Sequence, residues 1–299
     1  MPRLSARQRE LLILLNAFGG RAANLDFQKW LFLYCHEHSE GQRLYDFVPY
    51  RFGAFSFTSY SDRRKLIERG FLADEEKVWL ITDDGRDVVG DNHDLSASSF
   101  AARFRDLRGE ALVAESYRRA PFYATRSEIA DRVLKGDAAV LSRINAAKPR
   151  TGDQALATIG YEGRSLEVYL NELLRAGVTL LCDVRRNPIS RKYGFSKRTL
   201  ARSAESLGIR YEHLPQLGIS SEKRRQVETT ADLEALFRDY ERSSLPQQGE
   251  ALDTIRRWIA KGERVALTCY ERLPEHCHRH CVAGALELTR DKQIVTAHL

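Results

Sequence analysis

Ala157-Thr158-Ile159-Gly160-Tyr161-Glu162-Gly163-Arg164-Ser165 is a short apolar run that ends in glycine and polar residues and then opens a helix. The layout returns at Leu180-Leu181-Cys182-Asp183-Val184-Arg185-Arg186. It returns again at Val265-Ala266-Leu267-Thr268-Cys269-Tyr270-Glu271, which leads into His276-Cys277-His278-Arg279. Between and around these runs, strands predicted to Ile159 and over 178–184, 210–214 and 264–270 alternate with helices over 165–175, 196–207, 232–240, 250–261 and after Cys277. Such alternation predicts an α/β domain with a Rossmann-like, mostly parallel sheet over residues 154–299. Ligands bind outside the strand ends of open parallel sheets. The three runs are therefore expected to gather Glu162, Asp183 and Glu271 among many cations in one crevice suited to a phosphate-bearing substrate.

Upstream, residues 5–18 carry a helical apolar pattern behind Ser5, a residue type that caps helix starts. A second helix is predicted over 25–38 and a third over 59–69, ending at Gly70. Phe71-Leu72-Ala73 and Lys77 to Thr82 flank the acidic turn Asp74-Glu75-Glu76 and read as a hairpin, with Asp83-Asp84-Gly85 opening a short closing helix. Three helices and a hairpin make a winged-helix pattern over 1–92. A winged helix reads duplex DNA by laying one helix in the major groove, and here that helix would present Ser59, Ser61, Arg63, Arg64, Lys65 and Arg69. The acidic wing tip would repel phosphate, so DNA contact and protein contact stay equally open. Polar residues from Asp91 to Ser99 and from Pro149 to Asp153 bound a helical region, 93–153. Its Arg103, Arg105, Arg108, Arg118, Arg119 and Arg126 either line a nucleic-acid path or form ordinary exposed helix faces.

The chain has 299 residues, 43% of them hydrophobic, which suits two globular domains. Its longest apolar runs, such as Leu11 to Leu15, fall far short of the ~20 residues that span a bilayer. The start of the chain enters a charged helical pattern with no secretory signal, and five scattered cysteines fit reduced thiols. A cytoplasmic protein is expected. The net charge of +6 is modest, yet Val184 to Arg198 holds six basic residues and no acid. A solvated face would account for that run; its place after a strand end favours a polyanion site.

Segment 26–89 resembles winged-helix domains at the amino termini of bacterial defence and antitoxin-like proteins, notably in Tyr50-Arg51-Phe52-Gly53-Ala54-Phe55-Ser56. From Thr158 to about Leu288 the chain resembles the bacterial domain-of-unknown-function family 488. The motifs that carry this are Gly160, Tyr161, Gly163 and Ser165; Asp183, Val184 and Arg185; Gly194, Phe195, Ser196 and Lys197; His213, Leu214, Pro215, Leu217 and Gly218; and Cys277, His278 and Arg279. Some members resemble parts of anti-phage or nucleic-acid-processing systems, which implies antiviral defence as a setting.

Read as chemistry, Gly160, Gly163 and Ser165, Lys197, and the Cys277 start place three helix N-termini and their basic neighbours around an anion. Tyr161, Arg185, Arg186, Arg191, Tyr270, His278 and Arg279 complete the expected substrate-binding set. Asp183 is the first candidate for a catalytic carboxylate and Glu271 the second, with Glu162 structural; an Asp183–Arg185 ion pair ordering the loop is the simpler alternative. The segment Cys269, His276, Cys277, His278, His280 and Cys281 crowds its ligands without a separate pair, and Cys277 with Cys281 fits one packed helical face, so no metal and no cofactor are expected. A crevice poor in acids suits hydrolysis of an N-glycosidic bond, whose cation-like transition state needs a carboxylate, a positioned water and donors to the leaving base. The expected function is a DNA glycosylase-like hydrolase acting on double-stranded DNA, with no membrane association and no oligomeric state assigned. The alternatives are a non-catalytic nucleotide-sensing regulator and a metal-dependent nuclease.

Overall fold

Ser5 and Gln8 cap each other at the head of α1 (Ala6–Ala17): the Ser5 hydroxyl accepts from the Gln8 amide and the Gln8 side chain accepts from the Ser5 amide. Behind this cap, Leu11 to Leu15 are buried. The computed structural model describes residues 4–38, 44–90, 95–149, 155–225, 227–287 and 294–299. They divide into two compact units, Met1–Lys148 and Pro149–Leu299. No helix among the described residues is long and apolar enough to cross a membrane.

In the first unit, β1 (Arg21–Ala23) leads into α2 (Asn24–Glu37), whose apolar side carries Phe27, Trp30, Leu31 and Phe32 into the core. The aromatic stretch after it folds back as an antiparallel pair, β2 (Val48–Tyr50) and β3 (Gly53–Phe55), with Tyr50 opposite Gly53. Then come α3 (Phe57–Glu68), β4 (Val78–Leu80) and α4 (Asp83–Val89). Gly70 stops α3 with φ +78°, a left-handed conformation that glycine adopts freely. The expected hairpin is short, an antiparallel bridge of Leu72 with Ile81 flanked by the Ala73 amide donating to the Leu80 carbonyl at 2.9 Å and the Thr82 amide donating to the Phe71 carbonyl at 3.2 Å, and β4 pairs along its length with β1 as well.

Four further helices, α5 (Leu95–Phe104), α6 (Gly109–Arg119), α7 (Ala130–Val133) and α8 (Ala138–Ala146), belong to the same unit. Their arginines are largely engaged. Arg103 and Arg119 both pair with Glu37, Arg118 with Asp137 at 3.2 Å, and Arg108 lies over the Trp30 ring and 3.9 Å from Asp26. Arg105 and Arg126 are exposed. The proposed boundary residues 91–94 and 150–154 lie outside the described residues.

Lys29 is buried in α2, where its ammonium donates to the Ala54 carbonyl at 2.7 Å. Burial lowers its pKa to about 7. In the unfolded chain the same group titrates near 10.5. Below about pH 7 both states are protonated; between the two values the unfolded state holds more protons, so stability rises with pH, by up to about 1.4 kcal/mol per unit. Lys29→Met removes this dependence. Urea unfolding is expected to show the advantage of the variant over wild type shrinking steadily from about pH 7 to about pH 9; a pH-independent difference would contradict the burial of this charge.

The second unit is built on five strands in the order β7-β6-β8-β5-β9, every neighbouring pair parallel. In chain order it runs β5 (Leu156–Gly160), α9 (Leu166–Arg175), β6 (Leu180–Asp183), α10 (Lys197–Ser206) and β7 (Arg210–His213). These are followed by α11 (Ser221–Arg224), α12 (Thr230–Asp239), α13 (Gly249–Ala260), β8 (Val265–Cys269), α14 (Arg279–Glu287) and β9 (Thr296–His298). Helices cover both faces, as a sheet buried on both sides requires. Val265, Leu267 and Cys269 pack with Leu252 and Ile255 of α13 and Val282 and Leu286 of α14. Thr268 points the other way and accepts from the Tyr169 hydroxyl of α9 at 2.8 Å. Because β8 returns between β5 and β6, with Gly160 level with Cys269 and Asp183 level with Thr268, the three loops leave the sheet side by side.

Candidate functional site

At these strand ends lies a cavity of about 480 Å³. Its walls come from Tyr161 to Gly163 after β5, Arg185 to Asn187 and Ile189 to Lys192 after β6, Cys269 and Tyr270 at the end of β8, and Arg224 and His278. The expected gathering of the three loops is present, but several side chains have roles other than those expected.

Gly160 serves packing rather than ligand contact. A Cβ there would sit 1.8 Å from the Glu271 carbonyl oxygen, so only glycine lets the β5 and β8 loops close. The same junction is laced by the Glu162 amide donating to the Tyr270 carbonyl at 2.9 Å and by the Arg272 amide donating to the Glu162 carboxylate at 3.0 Å, the structural role expected of Glu162. Arg279 is fully buried beneath it and donates to the carbonyls of Glu271 and Arg272 at 2.5 and 2.9 Å. It holds the loop and cannot reach a ligand in the cavity. Gly163, at φ +73°, turns the chain along the cavity wall, and Ser165 caps α9 by accepting from the Val168 amide at 3.1 Å.

Asp183 is 0% exposed and sits behind the cavity lining, against its expected catalytic role. Its carboxylate accepts from Arg185 Nε at 2.8 Å, Arg185 Nη2 at 2.5 Å and the Tyr211 hydroxyl at 2.6 Å. Arg185 Nη1 then donates to the Tyr161 hydroxyl at 3.1 Å and the Phe195 carbonyl at 2.8 Å. Burial opposes the charge on Arg185, but the Asp183 carboxylate outweighs it and raises the pKa further. Asp183 and Arg185 are thus the internal brace of the β6 loop, the ion-pair alternative. Tyr161 belongs to that brace: its ring is buried, stacked on Phe195 at 4.3 Å between centroids, and offers no free stacking face. Tyr270, 46% exposed, does.

The charge facing the cavity comes from Arg186 and Arg191, both exposed, from half-buried Lys192, and from Arg224. Lys192 donates to the Tyr161 carbonyl at 3.2 Å, and burial lowers its pKa. Lys197 stands elsewhere, with its ammonium 3.2 Å from His213 Nδ1.

Arg224, on a single helical turn just after the motif that ends at Gly218, has no sequence signal beyond its basic neighbours. It donates to Glu271 Oε1 at 2.6 Å and lies 2.7 Å from His278 Nδ1. His278 is buried, and its Nε2 lies 3.0 Å from the Val184 carbonyl, which can only accept. Nε2 therefore carries the hydrogen and Nδ1 presents a lone pair. Burial would raise the pKa of Glu271, but the Arg224 charge and local hydrogen bonds outweigh it and hold the carboxyl below its usual range. Cys269 Sγ lies 3.5 Å from Glu271 Oε2 and 3.7 Å from His278 Nδ1. Burial pushes the Cys277 thiol up.

Cys277 does not share a helical face with Cys281, because α14 begins only at Arg279. The fold instead brings Cys269, Cys277 and His278 together with their ligand atoms within 4.8 Å of one another. Glu241, His280 and Cys281 form a second such group, in which Glu241 is exposed.

In the first unit, Ser59, Ser61 and Arg63 of α3 are buried. Arg63 donates to the carbonyls of Glu75 and Val78, the latter at 2.9 Å, and so fastens the turn before β4 rather than facing DNA. Arg64 and Lys65 are exposed on the same helix.

No curated protein and no solved structure matches the chain. Residues 165–286, in the C-terminal half, match the model of the family described as Domain of unknown function DUF488, the family that the five motifs indicate.

Proposed function

We propose that the strand-end cavity takes a phosphate-bearing nucleotide unit and that the chain is a DNA-processing enzyme, a glycosylase-like hydrolase that excises a base, modified or not, from DNA. One observation carries the reading: a nucleotide-sized cavity of about 480 Å³ whose open wall is lined by Arg186, Arg191, Lys192 and Arg224, with the ionised Glu271 held beside it. Cavities of this order bury ligands of nucleotide size. Cleaving an N-glycosidic bond builds positive charge on the sugar, which an ionised carboxylate stabilises while orienting the attacking water. Glu271 has the protonation state for that task and, unlike the fully buried Asp183, a place beside the cavity. Tyr270 offers a stacking face to a base drawn out of the duplex.

In this reading the first unit is a winged-helix domain that holds the duplex through Arg64 and Lys65, the second is Rossmann-like, and the protein works in the cytoplasm. Incubating wild type with duplexes carrying normal and modified bases, then cleaving at abasic sites with alkali, tests it. Strand breaks at one class of base are expected. Absence of abasic sites from every duplex would end the enzymatic reading, and ligand-dependent DNA affinity without product would identify a non-catalytic regulator instead.

A further inference from the structure

We infer that Cys269, Cys277 and His278 form a zinc site whose fourth position opens on the strand-end cavity. Ligand atoms sharing one tetrahedral zinc, at about 2.3 Å for sulfur and about 2.0 Å for nitrogen, stand roughly 3.5–3.8 Å apart. Cys269 Sγ is 3.7 Å and Cys277 Sγ 4.0 Å from His278 Nδ1, so small side-chain adjustments complete the geometry. The imidazole is already set for it: Nε2–H is fixed on the Val184 carbonyl, the outer bond that orients a metal-binding histidine and leaves Nδ1 as the ligand. Two thiols and an imidazole select zinc over the hard, oxygen-preferring cations.

The donors come from two elements, Cys269 from the end of β8 and Cys277 with His278 from the segment after the turn Pro274–His276. Cys269 and His278 border the cavity, and three protein ligands leave one position for water or substrate. Glu271 Oε2 is 3.5 Å from Cys269 Sγ and would accept a hydrogen bond from that water. Arg224 must give up His278 Nδ1 when the ion enters. Its side chain is one-third exposed on a one-turn helix, so it can turn into the cavity. The site stands on its own geometry and does not depend on the glycosidic reading.

The test is the metal content of the full chain, purified without a histidine tag from zinc-supplemented cells, together with cobalt(II) titration. About one zinc per chain is expected, with cobalt giving the visible spectrum of a tetrahedral dithiolate site and zinc shielding Cys269 and Cys277 from alkylation. Cys269→Ala and Cys277→Ala should lose the ion, and Cys281→Ala should keep it. Folded wild type that holds no zinc, gives no cobalt spectrum and alkylates equally with or without zinc would overturn the site, whatever the variants do. Zinc lost in Cys281→Ala but kept in Cys269→Ala would move it to the second cluster. Zinc held only by Arg224→Ala would make Arg224 the resident cation and overturn the proposal for the native chain.

Discussion

Asp183→Ala is expected to destabilise the C-terminal unit by about 3–5 kcal/mol, the cost typical of removing one partner of a buried ion pair. The loss comes from what remains: Arg185 keeps its charge in a site where Nε and Nη2 have lost the carboxylate, and the Tyr211 hydroxyl loses its acceptor. The Tyr161–Phe195 stack, held through Arg185 Nη1, loosens with it. Asp183→Asn keeps the shape but not the charge and should lie between wild type and alanine. Urea unfolding followed by the ellipticity of the second unit measures the effect. Any fall in activity should track the unfolded fraction, since Asp183 reaches no ligand. A loss below about 1 kcal/mol, the scale of an exposed pair, combined with a large fall in activity of the folded protein, would restore the catalytic role that the burial denies.

Glu271→Gln is expected to slow base excision by about 10²–10⁴-fold, the range for removing a positioned acid–base carboxylate, while the protein stays folded and still binds DNA. The fold survives because the Glu271 carboxylate is partly exposed and its partner Arg224 is one-third exposed, so the freed guanidinium can be hydrated. The backbone of the loop is held separately by Arg279 and Gly160. Single-turnover excision at saturating enzyme separates chemistry from binding. An unchanged rate would remove Glu271 from the reaction.

Much of this architecture is legible in the chain. The alternation of apolar runs with helical patterns gives the parallel sheet because strands buried on both faces must be nearly continuous in Val, Leu and Ile. Ser5 and Ser165 announce their helices because a hydroxyl accepting from an early amide is a local matter. What is not legible depends on distant contacts. Asp183 at a strand end next to Arg185 reads as catalytic or as a brace, and the choice is made by Tyr211 on β7 and Tyr161 after β5. Arg63 looks like a DNA-facing residue until the backbone before β4 folds over it. β9 has no apolar run, since Thr296 to His298 pairs over three residues at the sheet edge. Cys277 meets Cys269 rather than Cys281 because the turn Pro274–His276 folds the segment back on the end of β8, while Cys281 on α14 falls beside Glu241 and His280.

In the proposed function the basic wall of the strand-end cavity, Arg186, Arg191 and Lys192, holds nucleic-acid phosphates. Fluorescence anisotropy of a labelled duplex, titrated with wild type and with a variant carrying Arg186→Ala, Arg191→Ala and Lys192→Ala over a series of salt concentrations, tests it most directly. Three lost phosphate contacts should weaken binding and flatten the slope of log K against log salt by roughly 2–3. Equal affinities and equal slopes for the two proteins would contradict it.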